Sequence, residues 1–257
     1  MPSQNGRFCW SEYAVPNLSR ALDFYGRLFD WSYEDMPTEG GGIYKVAKAG
    51  DRTVAGLYPS NPRAQTTSRW LSYVEVPDVD RACGLALHMR GKVVTPPTDI
   101  PGIGRFAIIA DPAGATIAPF KSSRPPAPES DAMPQVGEFC WYQLQTPDPK
   151  AVAPFYAELF GWSITEQAGP LGPYLRCNRG DRETAGIVRS PAGSGTSEWL
   201  CFVVVGDVDK ATQIGATNAA TVRVGPTDLA AMGRMSVLAD PFGAPIVLFK
   251  WSGLPQG

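Results

Sequence analysis

Few side chains in this sequence are equipped for chemistry. It has one histidine, His88, and five cysteines, Cys9, Cys83, Cys140, Cys177 and Cys201, with no C-x-x-C pair. A mononuclear catalytic metal takes about three His, Cys or carboxylate ligands and keeps a position open. A serine or cysteine triad needs a histidine base. One histidine near a helix end serves neither purpose. A G-x-S-x-G elbow and a P-loop are absent, and Gly102-Ile103-Gly104 is too short for a dinucleotide fingerprint. What remains is a pair of carboxylates inside aromatic strands, Glu12 in Phe8–Val15 and Glu75 in Trp70–Val76. Successive strand residues point to opposite faces. Trp10, Glu12 and Ala14 therefore share one face of their strand, as Leu71, Tyr73 and Glu75 share one of theirs. Two facings are open: carboxylates in water, or carboxylates in apolar surroundings. In the second case desolvation raises the carboxyl pKa and yields a general acid or base. Tyr73 would then offer a phenolic hydrogen bond to a carbonyl.

The elements that must position these groups are duplicated. Phe8 to Trp31, FCWSEYAVPNLSRALDFYGRLFDW, returns as Phe139 to Trp162, FCWYQLQTPDPKAVAPFYAELFGW. Such an internal repeat means two copies of one domain. Each copy opens with a strand and a helix. Asn17 and Asp148 are the candidate N-caps, and Leu18, Ala21, Leu22, Phe24, Tyr25, Leu28 and Phe29 form an apolar stripe at helical spacing. Pro154 predicts a kink or a later start for the second copy's helix. Ile43–Ala49 and Thr53–Tyr58 read as a hairpin, matched by Tyr174–Asn178 and Thr184–Arg189. A second strand and helix follow, Trp70–Val76 with Val79–Arg90, matched by Trp199–Val205 with a helix to about Ile214. Asp78 or Asp80 caps the first of these helices. The closing hairpins share the tetrapeptide DPxG, Asp111–Gly114 and Asp240–Gly243, which reads as a tight turn. The domains expected are 1–121 and 139–257. Between them lies a Pro-rich linker, 122–138, and glycine-rich or polar loops fall at 39–42, 60–69, 169–173 and 190–197.

The chain has 257 residues, 44% hydrophobic and 19% charged, with net charge −2. That balance fits a globular protein with an ample core. It carries no basic footprint for nucleic acid and no Lys/Arg-rich membrane-surface segment. No signal core or bilayer-length apolar run is present, so a cytoplasmic location is expected. An odd cysteine count argues against a complete disulfide framework, and Cys9 and Cys140, at equivalent strand positions, read as buried thiols.

Paired βαβββ units, the FYxxLFGW-like helix, the V-P-D-V-D strand end and the GRF…DPxGA hairpin together resemble the vicinal oxygen chelate superfamily. It contains glyoxalases, extradiol dioxygenases, fosfomycin-resistance enzymes and bleomycin-resistance binding proteins. The resemblance covers Phe8–Lys121 and Phe139–Lys250 and is nearest in kind to tandem glyoxalase-like proteins of actinobacterial type, often labelled hydroxylases. It implies an α+β fold, two tandem domains whose paired βαβββ units form a cupped mixed sheet. The cup is the metal or ligand site. Enzymatic members place His, Gln or Glu on the first strand of a unit and Glu on the last. Carried over, those positions are Trp10, Leu71, Trp141 and Leu200, then Ala118 and Val247. In the first and third units they are Ala55 or Leu57, and Ala185 or Ile187. None of these side chains binds a divalent ion, so no cofactor is expected, although Glu12 and Glu75 leave a weakly held divalent metal open.

Within that cup the first copy is expected to present Trp10, Glu12, Leu71, Tyr73, Glu75 and Ala118. The second copy would present Trp141, Gln143, Gln145, Leu200, Phe202 and Val247. Apolar walls with a few convergent polar groups suit small molecules. The first expectation is a metal-independent protein that binds or sequesters an aromatic natural product through Trp10, Leu71, Ala118, Trp141, Gln143, Gln145 and Phe202. The second is an enzyme of the same fold using Glu12, Glu75 and Tyr73 for isomerisation, cyclisation or hydration. Metal-dependent lyase or dioxygenase chemistry comes third. The expected partner is a small molecule rather than nucleic acid or membrane, and the chain a monomer or homodimer.

Overall fold

The strands and helices arise where the apolar patterning asks for them, and the edge strands arise where it does not. The computed structural model describes residues 5–38, 41–61, 68–125, 132–169, 172–191, 195–230 and 232–252. The first copy runs β1 (Phe8–Val15), α1 (Leu18–Phe29), β2 (Trp31–Pro37), β3 (Ile43–Ala49), β4 (Arg52–Pro59), β5 (Trp70–Glu75), α2 (Val79–His88), β6 (Lys92–Ile100), β7 (Gly104–Ala110) and β8 (Thr116–Ser122). The second runs β9 (Phe139–Thr146), α3 (Pro149–Phe160), β10 (Ser163–Gly169), β11 (Gly172–Arg179), β12 (Arg182–Arg189), β13 (Glu198–Val204), α4 (Val208–Thr217), β14 (Thr221–Leu229), β15 (Gly233–Ala239) and β16 (Pro245–Trp251). The strands form two mixed eight-stranded sheets, ordered β2-β3-β4-β1-β5-β8-β7-β6 and β10-β11-β12-β9-β13-β16-β15-β14. This is the α+β architecture of paired βαβββ units. Parts of the expected linker and loops, at 39–40, 62–67, 126–131, 170–171 and 192–194, lie outside the described residues.

The caps are those the sequence offers. Asn17, Asp78, Asp148 and Asp207 each accept a hydrogen bond from the backbone N–H three residues on, as N-cap residues do. The choice between Asp78 and Asp80 thus falls to Asp78. α3 starts at Pro149 and passes through Pro154 without interruption, so the later start is not found. It ends at Gly161 with φ 68°, where glycine avoids the Cβ penalty. Four strands that the patterning did not reveal, β2, β6, β10 and β14, occupy the outer edges of the sheets. β6 carries Pro96 and Pro97 and shifts register twice against β7, as proline in an edge strand permits.

By contacts the chain divides into two compact units that do not follow the copies. One comprises Met1–Trp10, Leu71–Asp131 and Tyr142–Leu200. Its core joins Val74, Val76, Ala107, Ile109 and Ile117 to α2 through Val79, Ala82, Cys83 and Ala86. The same core takes in Val152, Phe155, Tyr156, Leu159 and Phe160 of α3. Full burial of each large side chain contributes about 1.5–3 kcal/mol. A polar chain crosses this core. Trp199 Nε1 donates to Tyr156 Oη at 3.1 Å, and Tyr156 Oη donates to Asp111 Oδ2 at 2.8 Å. Asp111 Oδ1 accepts from the N–H groups of Ala113 and Ala115. The first residue of DPxG therefore does more than turn the chain: it closes its own turn with one oxygen and anchors the other copy's helix with the second.

The other unit comprises Ser11–Trp70, Ala132–Trp141 and Cys201–Gly257. It repeats the device with the copies exchanged. Trp70 Nε1 donates to Tyr25 Oη at 2.9 Å, Tyr25 Oη donates to Asp240 Oδ2 at 3.0 Å, and Asp240 Oδ1 accepts from Phe242 and Ala244. Burial pushes both Asp111 and Asp240 above the usual carboxylate range, with the hydrogen bonds opposing that shift. It also pushes Tyr25 and Tyr156 well up, with the facing aspartate adding to the effect.

Candidate functional site

Glu12 is the residue around which polar groups converge on the helix-free side of the first copy. In β1 the residues Ser11, Tyr13 and Val15 are buried, while Glu12 and Ala14 are half-buried. Tyr13 packs at 6.2 Å from Tyr25 of α1. Alternation then turns Glu12 away from that helix, which settles its facing in favour of the sheet side without helices. β1 pairs with β4 in parallel, with Glu12 opposite Gly56. Tyr44 and Tyr58 are cross-strand neighbours one step beyond the Lys45–Leu57 pair, and their rings stack at 5.8 Å and 15°. Tyr44 Oη donates to Glu12 Oε2 at 3.4 Å, and Tyr58 Oη donates to Glu12 Oε1 at 3.3 Å. Phenol–carboxylate bonds are normally 2.5–2.7 Å, so both contacts are long and replaceable. Burial, and then the Glu12 charge, pushes the Tyr58 phenol up, so Tyr58 stays a neutral donor at ordinary pH.

Gly56 makes this convergence possible. A Cβ built there would lie 1.8 Å from Tyr44 Oη, so the phenol reaches Glu12 by passing over a residue without a side chain. The second copy keeps the device. A Cβ at Gly186 would lie 2.0 Å from Tyr174 Oη, and Gly186 stands opposite Gln143. There an amide replaces the carboxylate, and Val188 occupies the position of Tyr58. Gln143 and Gln145 are both half-buried on the same face of β9. Trp141 is also half-buried.

The second carboxylate has a different setting. Glu75, 8% exposed, receives two hydrogen bonds from Arg7, Nε to Oε2 at 3.1 Å and Nη2 to Oε1 at 3.0 Å. This is a bidentate fork. The pair has no counterpart in the second copy, where Glu138 and Val204 take the two positions and Glu138 pairs with Arg52. Leu71, Tyr73 and Ala118 form an apolar cluster with Cys9, Trp10, Phe106, Ile108 and Phe120 packed against it. The structure thus packs Trp10, Leu71, Tyr73 and Ala118 together. Tyr73 lies 5.9 Å from Phe106 and 6.1 Å from Phe120. Phe202 is buried, 6.1 Å from Phe249. Cys9 donates to the Tyr73 carbonyl at 3.5 Å. Burial pushes Cys9 up to about 12, with the Glu75 charge adding to it, and pushes Cys140 up to about 12 as well. Neither is a nucleophile at neutral pH. His88 is exposed at the end of α2.

The donor set does not fit a metal centre of the type seen in enzymatic members of the resembled superfamily. The corresponding cluster holds Leu71 and Ala118, whose side chains are carbon alone. The hairpin positions expected at Ala55 or Leu57, and Ala185 or Ile187, are fully buried. Ala185 and Ile187 belong to the core that packs on α3. The positions carried over from the resemblance lie on the buried side of the strand, and the residues on the sheet's helix-free side are Gly56 and Gly186. Among the described residues no three His, Cys, Asp or Glu side chains gather to hold an ion. Tyr44, Tyr58 and Arg7 were missed because none lies at a transferred position. The repeat held a signal for one of them, since Tyr44 with Gly56 recurs at the same separation as Tyr174 with Gly186.

Comparison with known proteins agrees with this architecture. Residues 8–118 match the Glyoxalase/Bleomycin resistance protein/Dioxygenase superfamily, and residues 141–249 match a glyoxalase-like domain. The chain belongs to this superfamily as a tandem pair of its domains. It is similar to the "Putative glyoxylase CFP32" of Mycobacterium tuberculosis, at 29% identity over 94% of this chain and 93% of that one. It is also similar to the anthracycline biosynthesis protein DnrV of Streptomyces peucetius, at 26% identity over 93% of this chain and 91% of that one. Among solved structures, the 2,3-dioxygenase LapB of Pseudomonas sp. KL28 superposes with TM-score 0.63 at 15% identity, covering 99% of this chain and 96% of that one. The Mn(II)-bound glyoxalase of Novosphingobium aromaticivorans gives 0.61 at 14%, covering 96% and 82%. At these identities the structural likeness is one of fold.

Proposed function

We propose that this protein binds an aromatic natural product on the helix-free face of its first copy, without a metal ion. The observation that carries this reading is Glu12 bracketed by Tyr44 and Tyr58 through two long hydrogen bonds. Such bonds exchange readily for those of a ligand. Glu12 accepts from ligand hydroxyl groups, and a displaced phenol donates to a ligand carbonyl. The stacked rings of Tyr44 and Tyr58 offer faces to an aromatic guest. Relatives named for anthracycline biosynthesis support a polycyclic ligand.

A second reading has one observation in its favour. A carboxylate touching two phenols is a proton acceptor with donors already in place, as isomerisation or hydration of a bound ring requires. In this reading Glu12 takes the proton and Tyr58 or Tyr44 steadies the developing oxyanion. Glu75 has a lesser part, because Arg7 engages both of its oxygens. The two readings separate with 1,8-dihydroxyanthraquinone as probe. Glu12→Gln should weaken its binding about tenfold, one hydrogen bond to a charged group being worth about 1.5–3 kcal/mol. Binding that survives Glu12→Gln, Tyr44→Phe and Tyr58→Phe unchanged would remove the first reading. Mass spectrometry of small molecules retained by the purified protein, before and after incubation, tests the second by revealing a product.

A further inference from the structure

On the side of the sheet that carries the helices, α1 and α4 pack on each other. A groove of about 480 Å³ runs between the last turn of α1 and α4. Its floor is apolar. Leu28, Val205 and Ala211 are buried there, while Ile214 and Val136 stay 38% and 55% exposed. Three cations border it, Arg27, Lys210 and Lys250. Lys250 reaches it because β16 turns that side chain toward the helices. A Cβ at Gly215 of α4 would lie 2.4 Å from Leu238 Cδ1, and Leu238 stands opposite Ile246, so Ile246, Leu248 and Lys250 share the face that meets α4. Among the described residues none of these three cations has a carboxylate partner, whereas Lys45, Lys48 and Lys150 each have one. Two carboxylates also line the groove. Asp207 is committed to α4, because Oδ1 accepts from the Lys210 N–H as the N-cap. Asp30 is exposed at the C-cap of α1. Three cations and two carboxylates leave one net positive charge.

The repeat shows that this groove is not a property of the fold alone. Lys210 and Lys250 correspond to Arg81 and Lys121, but Arg27, Asp30 and Val136 correspond to Glu158, Gly161 and Asn5. A Cβ at Gly161 would lie 3.1 Å from Asn5 Nδ2, so at the equivalent place an amide covers the helix end and a glutamate replaces the arginine. Between α1 and α4 that charge is reversed and the amide gives way to a valine. Both changes suit one guest, an apolar body with a negative head. We infer that the groove between α1 and α4 is a separate site for an organic monoanion, a carboxylate on an apolar ring system, with Arg27, Lys210 and Lys250 around the head and Ile214 and Val136 against the body. Its volume falls within the range of about 300–1,000 Å³ usual for small-molecule sites. One net positive charge balances a carboxylate and would leave a phosphate dianion half uncompensated. Glu12 faces the side of the sheet without helices, so this site does not depend on it.

The experiment is an NMR titration of the full-length ¹⁵N-labelled protein with 2-naphthoate. 2-Naphthalenemethanol, with the same rings and no charge, is the control. 2-Naphthoate should shift the backbone amides of Arg27 to Asp30 and of Val205 to Ile214, and the alcohol should bind at least about tenfold more weakly. Arg27→Glu, which installs the residue of the other copy and reverses the net charge of the groove, should weaken 2-naphthoate at least about fivefold. Lys210→Gln and Lys250→Gln should weaken it about threefold each, as for ion pairs open to solvent. Glu12→Gln should leave the affinity unchanged, so that failure of the first-copy reading leaves this one standing. Equal binding of acid and alcohol, shifts confined to other parts of the chain, or full affinity in Arg27→Glu overturns the inference. The wild-type comparison of the two compounds decides the matter even where a variant fails to fold.

Discussion

Tyr25→Phe removes one oxygen atom from the centre of the second unit described above. That oxygen donates to Asp240 Oδ2 at 3.0 Å and accepts from Trp70 Nε1 at 2.9 Å. Losing a bond to a charged acceptor costs about 1.5–3 kcal/mol, and leaving the Trp70 N–H buried and unmet costs about 1–3 kcal/mol more. The ring itself is retained, so no cavity term of the large-to-small kind applies. The expected loss is about 3–5 kcal/mol. That is a large part of the 5–15 kcal/mol typical of whole domains. Urea unfolding followed by tryptophan fluorescence and by circular dichroism measures it, and coincident transitions license the two-state fit. Tyr156→Phe, which breaks the matching Trp199–Tyr156–Asp111 chain, should cost a similar amount. A loss below about 1 kcal/mol in both variants would refute the claim that these polar chains fasten each helix to the opposite copy's turn.

Three further outcomes follow from the same structure. Asp111 and Asp240 have folded pKa values raised by burial. As pH rises from about 3.8 through those raised values the unfolded chain sheds its protons first, and these two groups lower stability. An Asp111→Asn/Asp240→Asn variant should therefore show a more positive slope of stability against pH in that window than the wild type, read by urea midpoints; equal slopes would contradict the assignment. The thiols of Cys9, Cys140 and Cys177, each pushed up to about 12 by burial, should resist a disulfide reagent at pH 8 in the folded protein and react on unfolding. Gly56→Ala should displace the Tyr44 phenol from Glu12 and weaken ligand binding as much as Tyr44→Phe does, with no added loss in the double variant.

Much of the architecture was legible because it is written in apolar spacing and caps. FYxxLF marks a helix face, Asn17 and Asp148 cap it, and the identical offset of both copies reveals the duplication. The outer strands were not legible. Their residues alternate between half-buried and exposed, as in WSYEDMP, and one contains two prolines, so neither period nor propensity singles them out. The aspartate of DPxG was read as a turn residue alone, since nothing local announces that its second oxygen meets a tyrosine 45 or 215 positions away. Alternation puts Glu12 and Trp10 on one face of β1. The hairpin positions carried over from the resemblance, Ala55 and Leu57, fall on the buried side, because they were transferred by type of position rather than by their pairing with β1. Tyr44 and Tyr58 come into view only when that pairing is known. Glu75 and Arg7 resemble unrelated charges until residues 6 and 7 are seen to exchange backbone hydrogen bonds with Glu75.

The central claim is that a carboxylate and its two phenols, rather than a metal ion, receive the guest. Calorimetric titration of the full-length protein with 1,8-dihydroxyanthraquinone, after exhaustive chelation and again after adding back Mn(II), Fe(II) or Zn(II), tests it most directly. Equal affinity in every sample, reduced about tenfold by Glu12→Gln, is the result expected. Binding that vanishes on chelation and returns with one of the metals would contradict it.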